Sequence, residues 1–325
     1  MRKCFIRTNH PYPSLTNEGS KKQKTTKLPS CFRRPERRLR GRGGKVLGIA
    51  STLLCTFLFT LLSHVSAPLL FAETEPSIID SDEINESSGL VKSRQYPGIF
   101  WTHNDSGDAP RIFAIRDDGT WVAEVKVDGA LHSDWEDIAI ADDGTLYICD
   151  IGDNLKRRHD LVIYQIREPN PKKDKVVKVT RKTSFRYQSA ADALPQNKKS
   201  VHFDAEACFF ASGNLYILTK HDFHTELYRM DLSQSEGEIV AERISKLAIP
   251  GRVTAADVTP DGKTLAVLTY MGVHVFEKPK ENDNYLAGAH QMFEQFFGQS
   301  EAIAFDGSDI IITNEESQIL KVPYK

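Results

Sequence analysis

The stretch DWEDIAIADDGTLYICDIGDN, residues 134–154, carries the pattern that decides the fold. It begins with acidic residues, runs through an apolar segment to the turn Asp142-Asp143-Gly144, and returns through a second apolar segment that ends in a carboxylate-rich loop. Two apolar runs separated by a tight turn that contains Gly predict a β-hairpin. The acidic start and the carboxylate-rich loop then lie at the same end of the hairpin, because its strands are antiparallel.

The same pattern recurs along the rest of the chain. Self-similarity at a spacing of roughly 40 to 50 residues, with several strands in each repeat, is typical of β-propellers. We therefore predict an all-β fold, a β-propeller with five blades, and six blades are the alternative. The other copies are ESSGLVKSRQYPGIFWTHND (86–105), DAEACFFASGNLYILTKHD (204–222), AADVTPDGKTLAVLTY (255–270) and EAIAFDGSDIIITNE (301–315).

The last copy has room for only three strands before the sequence ends at Lys325. A four-stranded blade would lack one strand there. The run Pro76-Ser77-Ile78-Ile79-Asp80 is short and β-like. We expect this N-terminal strand to complete the last blade, which closes the ring and removes an open edge.

The N-terminal part of the chain differs sharply from the rest in charge. Residues 1–45 hold 14 Lys and Arg against two Glu, a net charge of +12, whereas residues 46–72 contain no charged side chain. A basic segment followed by an apolar one is typical of a secretory signal, here with cleavage near Ala72, and an uncleaved signal anchor is the alternative. We predict a basic cytoplasmic segment, a signal peptide or signal anchor, and a single β-propeller domain over 73–325. This domain is expected to be secreted or periplasmic, or membrane-anchored if the signal is uncleaved.

The composition of residues 73–325 restricts the partners. These residues carry a net charge of −14, which excludes nucleic acid, because nucleic-acid binding needs a basic surface. An acidic surface is compatible with divalent cations or basic partners. We expect a monomer that binds a small molecule, a glycan or a peptide at the channel mouth.

Cys149 and Cys208 are the only cysteines of the predicted domain. Each falls inside a predicted strand, so two separate buried thiols are the expectation. A disulfide between blades is the alternative, since export permits it.

The acidic starts of the repeats predict a cation site. In a propeller the first strands are innermost, so these side chains and the polar loops should surround one mouth of the channel. Converging carboxylates repel each other unless a cation neutralises them, and Ca²⁺ prefers several oxygen ligands. We therefore predict a Ca²⁺ site with the ligands Asp105, Glu136, Asp153, Glu206, Asp257 and Glu301.

Two alternatives to this Ca²⁺ site stay open. His103, His221 and His224 allow a transition metal, for which imidazole is a suitable ligand. The carboxylates can also accept hydrogen bonds from backbone amides of the neighbouring blade and so tie the ring together.

The strings ESSGL, FWTHNDSGD, DWEDIAI, DIGDN, TAADVTPDGKTLAVLTY and SEAIAF together resemble a widespread group of exported bacterial β-propeller proteins of largely unknown function. This group is loosely similar to phytase-like esterase and strictosidine-synthase-like propellers. The resemblance covers nearly all of residues 84–323 and implies a propeller with a metal-assisted phosphoester or ester hydrolase site at the channel mouth. The fourth copy departs from the pattern, because Ala256 stands where other copies have Glu and Asp257 follows it.

Two functions follow from these observations. In a hydrolase, a bound cation would polarise a phosphoryl or carbonyl oxygen, with Glu136 or His221 as the catalytic base. In a non-catalytic propeller, the same mouth would bind a ligand or a protein without turnover. The propeller fold supports both, so the sequence leaves open whether the protein is an enzyme.

Overall fold

The computed structural model describes residues 75–188, 202–233, 237–294 and 297–324, and these residues are almost entirely β-structure. One short 3-10 helix, Tyr285–Ala287, interrupts the strands of this described part. The strands, in chain order, are β1 (Ser77–Ile78), β2 (Ser87–Lys92), β3 (Phe100–Asn104), β4 (Arg111–Ile115), β5 (Trp121–Asp128), β6 (Trp135–Ile140), β7 (Thr145–Asp150), β8 (Val162–Arg167), β9 (Val176–Tyr187), β10 (Ala205–Ala211), β11 (Asn214–Thr219), β12 (His224–Asp231), β13 (Ile239–Ala248), β14 (Val253–Val258), β15 (Thr264–Thr269), β16 (Gly272–Glu277), β17 (His290–Phe293), β18 (Ser300–Asp306), β19 (Asp309–Asn314) and β20 (Gln318–Pro323).

The strands form five antiparallel units, and four of them are built from consecutive strands. Unit 1 is β2 to β5, unit 2 is β6 to β9, unit 3 is β10 to β13, unit 4 is β14 to β17, and unit 5 is β18 to β20 together with β1. The outer strand β9 pairs in parallel with β5 and with β13, so the first three units are hydrogen-bonded into one sheet. The prediction of an all-β chain is therefore confirmed.

The units pack side by side through apolar side chains. The first strands β2, β6, β10, β14 and β18 contact one another in this order, and β18 also contacts β2. Five clusters of buried apolar residues fill the spaces between successive units, including the space between unit 5 and unit 1. All these residues lie between Ile79 and Tyr324, so this part of the chain has a hydrophobic core of its own and can be tested alone.

The short strand β1 pairs antiparallel with β20, with Ser77 opposite Ile319. Unit 5 therefore takes its fourth strand from the N-terminal side, where the sequence predicts it. A strand at this position covers the open edge of β20.

Three local predictions from the sequence have different outcomes. The sequence predicts a strand over 176–187, and β9 confirms it; it predicts the first strand of the fourth repeat at Val258, whereas β14 begins at Val253. It also predicts a loop at 188–201, and most of this loop, like residues 1–45 and 46–72, lies outside the described residues. Among the residues that are described, no helix combines the length and the apolar character needed to span a membrane.

The two cysteines of the domain are not separate thiols. Cys149 on β7 and Cys208 on β10 form a disulfide that joins unit 2 to unit 3. Both residues are fully buried. The expectation of two free thiols is therefore wrong, because the packing of the two units brings the two side chains together.

Candidate functional site

One end of the five units, called the mouth here, collects the starts of the first strands and the ends of the second strands. In unit 2, for example, Trp135 at the start of β6 is opposite Asp150 at the end of β7. Each first strand has a shift of register just after its start, and such a bulge turns a side chain away from the regular alternation. The residues left out of the pairing at these shifts are Ser88, Glu136, Glu206, Thr254 and Glu301.

Three carboxylates of units 1 and 2 converge at the mouth. One oxygen from each of Asp105, Asp134 and Glu136 lies within 4.8 Å of the others. Glu136 is 3% exposed, and the two aspartates are half-buried. Gly152 allows this approach, because a Cβ atom at this position would overlap Glu136 Oε1 and lie 2.5 Å from Asp134 Oδ2.

The electrostatics of these three carboxylates are unfavourable as long as all are ionised. Burial, with the neighbouring Glu206 and Asp105 carboxylates, raises the pKa of Glu136 well above its ordinary value. Burial and the charge of Asp105 raise the pKa of Asp134 to about 6. A hard cation would relieve this repulsion and use the three oxygens as ligands.

A second group of charges continues from Glu136 into units 3 and 4. The carboxylate charge of Glu206 acts on Glu136 and, after burial, is the largest cause that raises the pKa of Glu136. Lys220 Nζ lies 3.0 Å from Glu206 Oε1 and 5.6 Å from the ring centre of Tyr270. Burial still raises the pKa of Glu206 to about 7, although the ammonium of Lys220 opposes this shift.

Glu301 stands at the far end of this group, in unit 5. Its Oε1 accepts a hydrogen bond of 2.6 Å from the Tyr270 hydroxyl. Burial raises the pKa of Glu301 to about 7. Burial lowers the pKa of Lys220, but the charges of Glu206 and Glu301 outweigh this effect and raise it above its ordinary value.

Asp257 has a different position from the one the repeat suggests. Thr254 occupies the bulge of β14, the position that Glu136 has in β6, and Asp257 lies three residues further along the strand. Asp257 Oδ2 accepts a hydrogen bond of 2.8 Å from the backbone N–H of Phe305 in unit 5. This carboxylate ties two first strands together, which is the structural alternative considered above.

Asp137 also ties first strands together, and it contacts two other units where Asp257 contacts one. Its Oδ2 accepts hydrogen bonds from the backbone N–H groups of Cys208, at 2.8 Å, and Ala256, at 3.3 Å. These hydrogen bonds link the first strands of units 2, 3 and 4, and the Asp137 side chain that accepts them is fully buried.

Asp153 and the histidines are not part of this group of three carboxylates. Asp153 accepts hydrogen bonds from the backbone N–H groups of Arg157 and Arg158, at 2.8 and 3.0 Å, and so shapes its own loop. His221 stacks on His224, with ring centres 4.2 Å apart, and the charges that act on it come from Lys156, Glu226 and Lys246. His103 is fully buried, and its Nδ1 donates to the carbonyl oxygen of Asn104 at 2.9 Å.

The structure brings together two of the predicted ligands, Asp105 and Glu136, and adds Asp134. The sequence holds a signal for this residue, because Asp134 precedes Glu136 by two positions, as Asp204 precedes Glu206. An Asp-x-Glu sequence that occurs in two copies of the repeat is therefore the signal that indicates paired carboxylates at the start of the first strand. Lys220, the cation paired with Glu206, was also missed as a site residue.

No protein-family model and no curated protein matches the chain. Among solved structures, the chain is similar to a PQQ-bound aldose sugar dehydrogenase from Streptomyces coelicolor, with 13% identity, a TM-score of 0.44, and coverage of 79% of this chain and 99% of that one. A glutaminyl cyclase from Myxococcus xanthus gives 10% identity and a TM-score of 0.46 over 78% of this chain and 95% of that one. A virginiamycin B lyase from Staphylococcus aureus gives 18% identity and a TM-score of 0.38 over 73% and 66%. Likenesses of this degree say nothing about the chemistry of the mouth.

Proposed function

We propose that the chain is an exported, five-bladed β-propeller that binds a divalent cation, Ca²⁺ in the first place, at its mouth and uses it to hydrolyse a phosphoester or carboxylic ester. The five blades correspond to the five units. The five apolar clusters between successive units and the ordered contacts of the first strands support this count.

The observation that carries the proposal is the convergence of Asp105, Asp134 and Glu136. Their oxygens lie within 4.8 Å of one another around a partly buried position, with Gly152 leaving room beside them. Oxygen ligands of this kind suit a hard cation such as Ca²⁺. The predicted ligands Asp153, Asp257 and Glu301 are engaged in hydrogen bonds elsewhere and are not part of this set.

The surroundings of the three carboxylates suit an anionic or polar substrate. A cation held there would polarise a phosphoryl or carbonyl oxygen. Lys220 supplies a second positive charge on the same mouth, beside Glu206. In this proposal Glu136 binds the cation instead of acting as the base.

A non-catalytic binding propeller is the second candidate. It is supported by the engagement of Asp137 and Asp257 in ties between strands, which leaves fewer carboxylates for chemistry. It is also supported by His221, whose ring contacts are with His224 and Phe203 instead of with the three carboxylates.

The first experiment is calorimetric titration of residues 73–325 with Ca²⁺, Mg²⁺ and Mn²⁺ after treatment with EDTA. We expect one Ca²⁺ for each chain. At a Ca²⁺ concentration about one hundred times Kd, the free energy of unfolding should rise by about 2.7 kcal/mol. Absence of binding together with an unchanged melting temperature would exclude the cation site.

Matched variants locate the site and separate binding from catalysis. Asp134→Asn should weaken Ca²⁺ binding roughly ten-fold or more, whereas Asp143→Asn on an exposed turn should leave it unchanged. Wild type and both variants are then assayed with aryl phosphates, phosphodiesters and lactones. Hydrolysis that needs Ca²⁺ and is lost in Asp134→Asn supports the hydrolase, and tight Ca²⁺ binding without any turnover supports the binding propeller.

A further inference from the structure

Arg158 lies in the loop that joins β7 to β8, and its guanidinium lies beside the end of β7. Its Nη2 donates a hydrogen bond of 2.8 Å to Asp150 Oδ1, and its Nη1 donates one of 2.7 Å to the carbonyl oxygen of Gly152. The side chain of Asp150 is 1% exposed and that of Arg158 is 15% exposed. Arg158 and Asp150 therefore form a largely buried ion pair, and the same planar guanidinium also binds a second acceptor.

Both acceptors of Arg158 are also hydrogen-bonded to the backbone of Asp134. Asp150 Oδ1 accepts a hydrogen bond of 3.1 Å from the N–H of Asp134. The N–H of Gly152 donates one of 3.2 Å to the carbonyl oxygen of Asp134. The backbone of Asp134 is thus held on two sides, and on each side one residue connects it to Arg158.

Glu136 depends on the position of the same glycine. A Cβ atom on Gly152 would overlap Glu136 Oε1 and lie 2.5 Å from Asp134 Oδ2, so the backbone of Gly152 is in close contact with both carboxylates. A displacement of Gly152 would change the space in which these two carboxylates meet. Arg158 binds the carbonyl oxygen of Gly152, and therefore affects two of the three carboxylates.

We propose that Arg158 is a positioning residue of the cation site, which keeps Asp134 and Glu136 in the geometry that a divalent cation needs. This inference rests on the cation site of the proposed function. Residues that orient the ligands of a metal are typically worth about ten- to one hundred-fold in metal affinity. Arginine suits this role because its planar guanidinium presents its donors in a fixed fork, whereas the ammonium of lysine is a compact point charge.

The charge of Arg158 predicts the opposite effect on cation binding. Burial raises the pKa of Asp134, and the positive charge of Arg158 opposes this rise, so the charge acts on the cation site. If Arg158 acted through its charge alone, its removal would strengthen Ca²⁺ binding, because like charges repel each other. If Arg158 acts by positioning, its removal weakens Ca²⁺ binding. The sign of the change therefore separates the two roles.

The test is calorimetric titration of residues 73–325 with Ca²⁺, for wild type and three variants. Arg158→Gln removes both the charge and the fork, and Arg158→Lys removes the fork alone. Arg157→Gln is the matched control, because it removes one positive charge at an exposed position of the same loop. We expect both Arg158 variants to weaken Ca²⁺ binding about ten-fold or more. Arg157→Gln should bind Ca²⁺ as wild type does or slightly more tightly, since solvent screens an exposed charge.

Urea unfolding of the same variants in EDTA separates positioning from a purely structural role. A structural role alone would make both Arg158 variants less stable and leave the Ca²⁺ affinity of the folded protein unchanged, and that result would overturn the proposal. Tighter Ca²⁺ binding by Arg158→Gln would also overturn it, since the charge would then be the larger effect. If Arg158→Gln does not fold, Arg158→Lys decides the question, because it keeps a cation beside Asp150.

Failure of the proposed function would give a different result from failure of this inference. A wild type that binds no Ca²⁺ contradicts the cation site, and it overturns the role of Arg158 together with that site. A wild type that binds Ca²⁺ with an affinity that both Arg158 variants keep supports the cation site and overturns the role of Arg158 alone.

Discussion

Replacement of Glu301 by Gln tests the electrostatic account of the mouth. Glu301 is 7% exposed and accepts a hydrogen bond from the Tyr270 hydroxyl. Burial raises its pKa from 4.5 to about 7, so the folded protein holds this proton more tightly than the unfolded chain. The stability that comes from this group is complete below pH 4.5 and is lost as the pH rises to about 7. A pKa difference of this size corresponds to about 3 kcal/mol.

Gln at position 301 cannot ionise and keeps an acceptor oxygen for Tyr270. The free energy of unfolding of Glu301→Gln should equal that of wild type at about pH 4 and exceed it by up to about 3 kcal/mol at about pH 8. Urea unfolding of residues 73–325 in EDTA measures this difference, and Glu281→Gln on an exposed loop is the matched control. A Glu301→Gln variant that is less stable than wild type at the higher pH would refute the reasoning. The attraction between Glu301 and Lys220 would then outweigh the cost of burial.

Three further substitutions test the fold and the cation site. Replacing Cys149 and Cys208 by Ala should lower the free energy of unfolding by about 4 kcal/mol in urea, because the disulfide spans 59 residues. Asp137→Ala should cost about 3 kcal/mol in the same assay, because three buried backbone N–H groups, those of Ile138, Cys208 and Ala256, lose their acceptor. Gly152→Ala should weaken Ca²⁺ binding in calorimetry roughly ten-fold or more, because the new Cβ overlaps Glu136 Oε1.

Each of these substitutions has its own control. A reductant should bring wild type to the stability of the double Ala variant, and no change on reduction would contradict the disulfide's role. Asp143→Ala removes only an exposed acceptor of the Thr145 N–H and should cost about 1 kcal/mol or less, so an equal loss there would remove the argument for Asp137. Gly152→Ala must keep its circular dichroism spectrum, and an unchanged Ca²⁺ affinity would show that the space beside Glu136 is not used.

The architecture could be predicted from the sequence because it depends on local patterns. Apolar runs separated by Asp-Gly turns fix the hairpins, and the strand at 176–187 was predicted with the bounds it has in the structure. The pairing of the segment around Ile78 with the C-terminal strand followed from counting strands in the last repeat.

The site could be predicted only in part because it depends on register and on contacts between units. The bulge that turns Glu136 towards the mouth depends on how β6 pairs with β7, and the sequence does not show this register. An alignment by carboxylates therefore placed Asp257 wrongly. The disulfide and the contact between Glu206 and Lys220 join residues that are apart in the sequence, and the order of residues does not show that they are close in space.

The pairing of β1 with β20 sets an order for folding. Ser77 and Ile319 are opposite each other although 242 residues separate them in the sequence. A growing chain produces β1 long before β20, so β1 has to wait without its partner while these 242 residues are made. Such distant pairing forms slowly, because the loop entropy is lost before the contacts are gained. A chain that stops before Gln318 would keep both β1 and the edge of β19 open, and we expect such truncated chains to associate with one another through these edges.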